Sequence, residues 1–82
     1  MLAIIGGSGL YALEGLQLEQ QHRMTTPFGE PSAPILRGVL AGEPVLFLAR
    51  HGTRHSYLPS EVNYRANIFA LKKLGARRVV GI

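Results

Sequence analysis

A layered α/β fold, cut short, is what the sequence predicts, and three observations point to it. Apolar runs of strand length occupy residues 2–5 and 45–49. One amphipathic helical pattern lies between Ser60 and Gly75, and another strand, residues 78–82 with Val79-Val80-Gly81-Ile82, begins where the chain stops. Strand, hairpin, helix and strand in that order make a sheet with a helix laid on it, so the remainder of a larger domain is expected to be missing.

The first strand, residues 2–5, runs into Gly6-Gly7-Ser8-Gly9, a tight glycine-dominated turn. Residues 10–16 are expected to form a turn of helix closed by Gly15, and residues 18–26 an extended, partly exposed strand. Residues 27–34 hold Pro27, Pro31, Pro34 and Gly29 and read as loop. Residues 35–40 and 45–49 form a hairpin joined by Ala41-Gly42-Glu43-Pro44. Its second arm, Val45-Leu46-Phe47-Leu48-Ala49, is continuously apolar, the pattern of a strand covered on both faces. The helix is expected over residues 61–74, capped by Ser60, favoured at its start by Glu61 and stopped by Gly75. Its polar stripe is Glu61, Arg65 and Lys72, and its wide apolar arc implies burial on more than one side. Asn63 and Asn67 fall within that arc. Buried amides need partners, so both are expected to brace neighbouring loops.

With 82 residues there is room for one small domain and a modest core. No cysteine is present, which excludes disulfides and thiolate metal sites and fits a reducing cytoplasm. No apolar run approaches the ~20 residues of a bilayer span. The N-terminus lacks the pattern of a signal peptide. The net charge of +4 attracts anions. Lys72, Lys73, Arg77 and Arg78 surround a helix end, where cations are expected on dipole grounds, and no basic stripe is interleaved with aromatics. Nucleic acid is therefore not the expected partner; a small phosphate-bearing ligand suits the remaining charges better.

Two segments carry chemistry. Glycines in residues 6–9 let successive N–H groups form an anion-binding concavity, and Ser8 adds a hydroxyl donor. Gly7, Gly9 and Ala12 fit the spacing of a dinucleotide fingerprint, but Gly15 interrupts the helix that such a site requires. The second segment, Arg50-His51-Gly52-Thr53-Arg54-His55, follows the buried strand, and strand ends are where α/β folds bind ligands. The Arg50 guanidinium matches phosphate oxygens, and His51 beside it can donate as well. Four potential cations in six residues repel one another, and a bound anion relieves that.

Together, Ile4-Ile5-Gly6-Gly7-Ser8-Gly9-Leu10, Thr26-Pro27-Phe28-Gly29, Leu48-Ala49-Arg50-His51-Gly52 with His55 and Pro59, and Val62-Asn63-Tyr64-Arg65-Ala66-Asn67 resemble the trimeric purine nucleoside phosphorylase superfamily. Within it they are most similar to the methylthioadenosine/methylthioinosine phosphorylases. A complete member of that family is about three times longer, in keeping with an α/β domain of about 250 residues. The resemblance implies that residues 1–82 are the N-terminal part of a single domain, a three-layer fold with a mixed central sheet flanked by helices. It implies phosphorolysis: phosphate attacks the anomeric carbon of a purine nucleoside, releasing the base and a ribose 1-phosphate, in purine salvage. It also implies a cytoplasmic homotrimer using inorganic phosphate as co-substrate, with no metal and no organic cofactor. Carried over by position, Ser8, Arg50 and His51 bind phosphate, and His55 lies near the ribose or its 5′ side. The remaining contacts fall beyond Ile82, so no catalytic residue is expected within the chain, and the chain alone is expected to be inactive. Ser8 stands where the thioadenosine enzymes usually carry threonine, which leaves the choice among methylthioadenosine, methylthioinosine and ordinary nucleosides open.

Two other readings compete. Residues 48–54 are similar to the phosphate-accepting segment of the histidine phosphatases, where His51 would be the nucleophile, but that segment belongs next to the first strand. A basic, non-catalytic binding piece is the other.

Overall fold

In the computed structural model, residues 1–7, 16–50 and 63–82 are described. Five strands, β1 (Leu2–Gly6), β2 (Leu16–His22), β3 (Ile35–Leu40), β4 (Glu43–Ala49) and β5 (Arg78–Gly81), form one sheet, with one helix, α1 (Tyr64–Lys73), between β4 and β5. The strand order is β2-β3-β4-β1-β5. β1 is parallel to both β4 and β5, whereas β2, β3 and β4 run antiparallel in sequence, so the sheet is mixed as expected.

The side-chain alternation of β1 and β4 divides the core. Ala3, Ile5, Leu46 and Leu48 face α1 and pack with Ile35, Ala70 and Leu71. Ile4, Val45 and Phe47 face the other way and gather Leu2, Leu36 and Leu40. Every residue from Val45 to Ala49 is at most 3% exposed, so β4 is indeed covered on both faces.

β2 begins at Leu16 and ends at His22, earlier at both ends than expected. Thr26 is drawn out of the strand by its own turn. Its hydroxyl donates to Gly29 O at 2.7 Å and accepts from Phe28 N–H at 3.1 Å, and Thr26 and Gly29 exchange two backbone hydrogen bonds. Leu16, the last residue of the helical turn expected to be closed by Gly15, is instead the first residue of β2, and residues 10–15 lie outside the described residues.

The hairpin connection is shorter than expected. Leu40 pairs with Glu43, leaving only Ala41 and Gly42 as the turn, with φ of 52° and 81°. Two positive φ values mark a type I′ turn, whose twist matches that of the flanking strands. Pro44 is tolerated inside β4 because it precedes the first residue paired with β1, Val45 opposite Leu2. Alanine is strained at positive φ. Ala41→Asn is therefore expected to stabilise the protein by about 0.5–1 kcal/mol, read as a higher urea midpoint; a lowered midpoint would contradict the turn assignment.

The helix also departs from expectation at its start. Its N-cap is Asn63 rather than Ser60: Asn63 Oδ1 accepts from Ala66 N–H at 3.1 Å. Asparagine caps as well as serine does. Its Nδ2 meanwhile donates to Phe28 O at 2.8 Å, a second anchor for this geometry. The stop at Gly75 is as expected. With Gly75 at φ 107°, its N–H bonds Lys72 O and the Ala76 N–H bonds Leu71 O, a Schellman ending. The buried arc is narrower than the apolar pattern implied. Ala66, Asn67, Ala70 and Leu71 are buried, while Tyr64 is 51% and Phe69 37% exposed. Phe69 packs edge-on against Phe28, with ring centroids 6.0 Å apart, so the proline-pinned turn is anchored by its aromatic residue. No described helix is long and apolar enough to cross a membrane.

Candidate functional site at the carboxyl ends of the parallel strands

Three parallel strands, β4, β1 and β5, finish side by side, and ligands in α/β sheets collect outside such ends. Gly6 is in register with Ala49, and the next peptide continues the pairing: Arg50 N–H donates to Gly6 O at 2.9 Å. Gly6 and Arg50, where the two anion-type segments begin, are therefore immediate neighbours at the ends of β1 and β4. On the other side of β1, Ile82 N–H donates to Ile5 O at 2.8 Å.

Arg50 is half-buried at this edge. Its Nη2 donates to Ile5 O at 3.4 Å and also to Ile82 O. The side chain thus reaches across the end of β1 toward β5, a placement that keeps a delocalised cation over the strand ends. Ser8, His51 and His55, the other expected site residues, lie outside the described residues.

Behind Arg50 stands a buried polar group that sequence reasoning assigned no part in the site. Ser32 Oγ donates to Ala49 O at 2.8 Å. Ser32 is held from α1 by Asn67, whose Oδ1 accepts from Ser32 N–H at 2.8 Å and whose Nδ2 donates to Ser32 Oγ at 3.2 Å. Asn67 is fully buried and Ser32 is 7% exposed. Asn63 and Asn67 thus both brace loops, as expected of them: Asn63 the Phe28 turn, Asn67 the Ser32 segment. Ser32 itself was legible only as part of a proline-rich loop.

No family model matches the chain. Among individual proteins, the S-methyl-5′-thioadenosine phosphorylase of Koribacter versatilis is 54% identical over 81 residues, covering 99% of this chain and 28% of that protein. A probable S-methyl-5′-thioinosine phosphorylase of Xanthomonas campestris pv. campestris is also 54% identical over 81 residues, covering 99% of this chain and 32% of its own length. The crystal structure of a methylthioadenosine phosphorylase from an antarctic soil metagenomic library superimposes with a TM-score of 0.89 at 54% identity, over 98% of this chain and 28% of that one. In sequence and in fold, the chain is similar to part of the methylthioadenosine and methylthioinosine phosphorylases.

A more distant phosphorylase, that of Schistosoma mansoni in complex with adenine, still gives a TM-score of 0.86 at 41% identity over 98% of this chain. The mixed sheet therefore superimposes on part of the fold of both phosphorylases. The chain spans 28–32% of the length of the two curated phosphorylases it matches above.

Proposed function

We propose that this chain supplies the phosphate side of a purine nucleoside phosphorylase acting on 5′-methylthioadenosine or 5′-methylthioinosine. The observation that carries the proposal is the hydrogen bond from Arg50 N–H to Gly6 O, which sets the carboxyl ends of the central strands β1 and β4, and so the starts of the two anion-type segments, side by side. The names of the similar proteins support the same chemistry.

In this reading the hydroxyl of Ser8, the guanidinium of Arg50 and the ring of His51 hold inorganic phosphate, and His55 lies toward the ribose or its 5′ substituent. Held in line with the anomeric carbon, a phosphate oxygen forms the new C–O bond as the bond to the purine nitrogen breaks. Electrons go to the departing base, and charge accumulates on an oxocarbenium-like sugar. Rate then comes from positioning and from fixed positive charge beside the anion. No metal or organic cofactor enters the scheme. The working enzyme is a cytoplasmic homotrimer, and residues 1–82 alone are inactive because the purine and most of the 5′ pocket must be met by other residues.

The test is base release from methylthioadenosine, methylthioinosine and inosine by the full-length protein, with and without phosphate. Release of the purine with the 1-phosphate of the substrate's own sugar, 5-methylthioribose or ribose, dependent on phosphate and favouring a methylthio nucleoside, is expected. Phosphate-independent release would mean hydrolysis and end the proposal.

A further inference from the structure

The peptide unit that leads into Arg50 is held at both of its polar ends. Its N–H, that of Arg50, donates to Gly6 O at 2.9 Å, and its carbonyl, that of Ala49, accepts from Ser32 Oγ at 2.8 Å. The second contact fills a gap in the sheet. β3 and β4 pair with Leu36 opposite Phe47 and Leu40 opposite Glu43, and continuing that register sets Pro34 opposite Ala49. The Leu40–Glu43 pair closes a two-residue turn, so alternate pairs from there, including Pro34 with Ala49, are those that would exchange hydrogen bonds. Proline has no N–H to give. The Ala49 carbonyl, in a residue 1% exposed, would be left without its ladder donor, and the Ser32 hydroxyl takes that place.

The hydroxyl is itself aimed. Asn67 accepts from the Ser32 N–H and donates to Ser32 Oγ, so the oxygen's acceptor side faces α1 and its proton is directed to Ala49. Both residues are buried, and each of the side-chain polar atoms Asn67 Oδ1, Asn67 Nδ2 and Ser32 Oγ has a partner. A satisfied buried network of this kind fixes geometry.

We infer that Ser32, aimed by Asn67, is a positioning residue that sets the peptide before Arg50 and thereby the guanidinium in the phosphate site. This inference rests on the phosphate role proposed for Arg50. Ser32 touches no substrate. With only the Gly6 contact left, the peptide can rotate about the strand axis, and the guanidinium several bonds away moves with it.

The experiment is initial-rate kinetics on the full-length protein, with phosphate and nucleoside varied separately, for wild type, Ser32→Ala and Ser32→Thr. Phosphate-dependent cleavage by the wild type is the control that tests the functional reading itself. Given that control, Ser32→Ala is expected to raise the phosphate KM about 5-fold, with the nucleoside KM within about 2-fold. Ser32→Thr, which keeps the hydroxyl, restores most of the phosphate affinity. A ladder repair with no bearing on the site would lower the urea midpoint of Ser32→Ala and leave both KM values alone. That outcome overturns the inference, as does an equal rise in both.

Discussion

Arg50→Ala raises the KM for phosphate roughly 10- to 150-fold in the full-length protein and leaves the KM for the nucleoside nearly unchanged. The magnitude is that of losing hydrogen bonds to a charged group, about 1.5–3 kcal/mol. Loss of charge and loss of shape can be separated. Arg50→Lys keeps the cation but not the planar fork that meets two oxygens at once, and is expected to recover only part of the affinity. Arg50 also ties the ends of β1 and β5 through Ile5 O and Ile82 O, so some loss of stability accompanies the substitution. Hydrogen bonds donated by a charged group contribute about 1.5–3 kcal/mol each, less where water competes, against a total stability of about 5–15 kcal/mol. The split between the two KM values therefore decides. If phosphate and nucleoside affinities fall together, Arg50 is holding the sheet edge and not the anion.

The parts of the fold that the residues announced are those governed by local chemistry. An unbroken apolar run told of a strand with two buried faces, and β4 has them. Gly75 told of a left-handed helix stop, and the Schellman contacts follow from it. Other features depend on what the chain meets after it folds. Ser60 and Asn63 are equally good caps by chemistry, and Asn63 has the second anchor on the Phe28 carbonyl, a contact 35 residues away. Ala41 carries no sign of a type I′ turn, because alanine is disfavoured at its φ; only the pairing of Leu40 with Glu43 imposes it. The same holds at the site. Arginine after a buried strand pointed to an anion. The place of Ser32 could not be read, because it follows from the register that sets Pro34 against Ala49.

Truncating either face of β4 is expected to be costly, and by similar amounts. Phe47 and Leu48 are adjacent and point to opposite sides of the sheet, Phe47 toward Ile4 and Val45, Leu48 toward Ala70 and Leu71 under α1. Both are 0% exposed. Phe47→Ala removes a buried aromatic ring and is expected to cost about 3–5 kcal/mol, and Leu48→Ala about 2–5 kcal/mol. Against a total stability of about 5–15 kcal/mol, either is a large fraction. Volume loss is the cause, so Phe47→Leu should cost well under half as much as Phe47→Ala. Urea unfolding of the full-length protein measures all three. The two-sided burial of β4 is what makes its last peptide a fixed platform for Arg50: a strand with one wet face bends freely at its end, whereas one clamped on both faces delivers the next residue to a single place. A Phe47→Ala cost near zero beside a large Leu48→Ala cost would show a one-sided strand, and the rigid platform would have to be sought in the Ser32 contact alone.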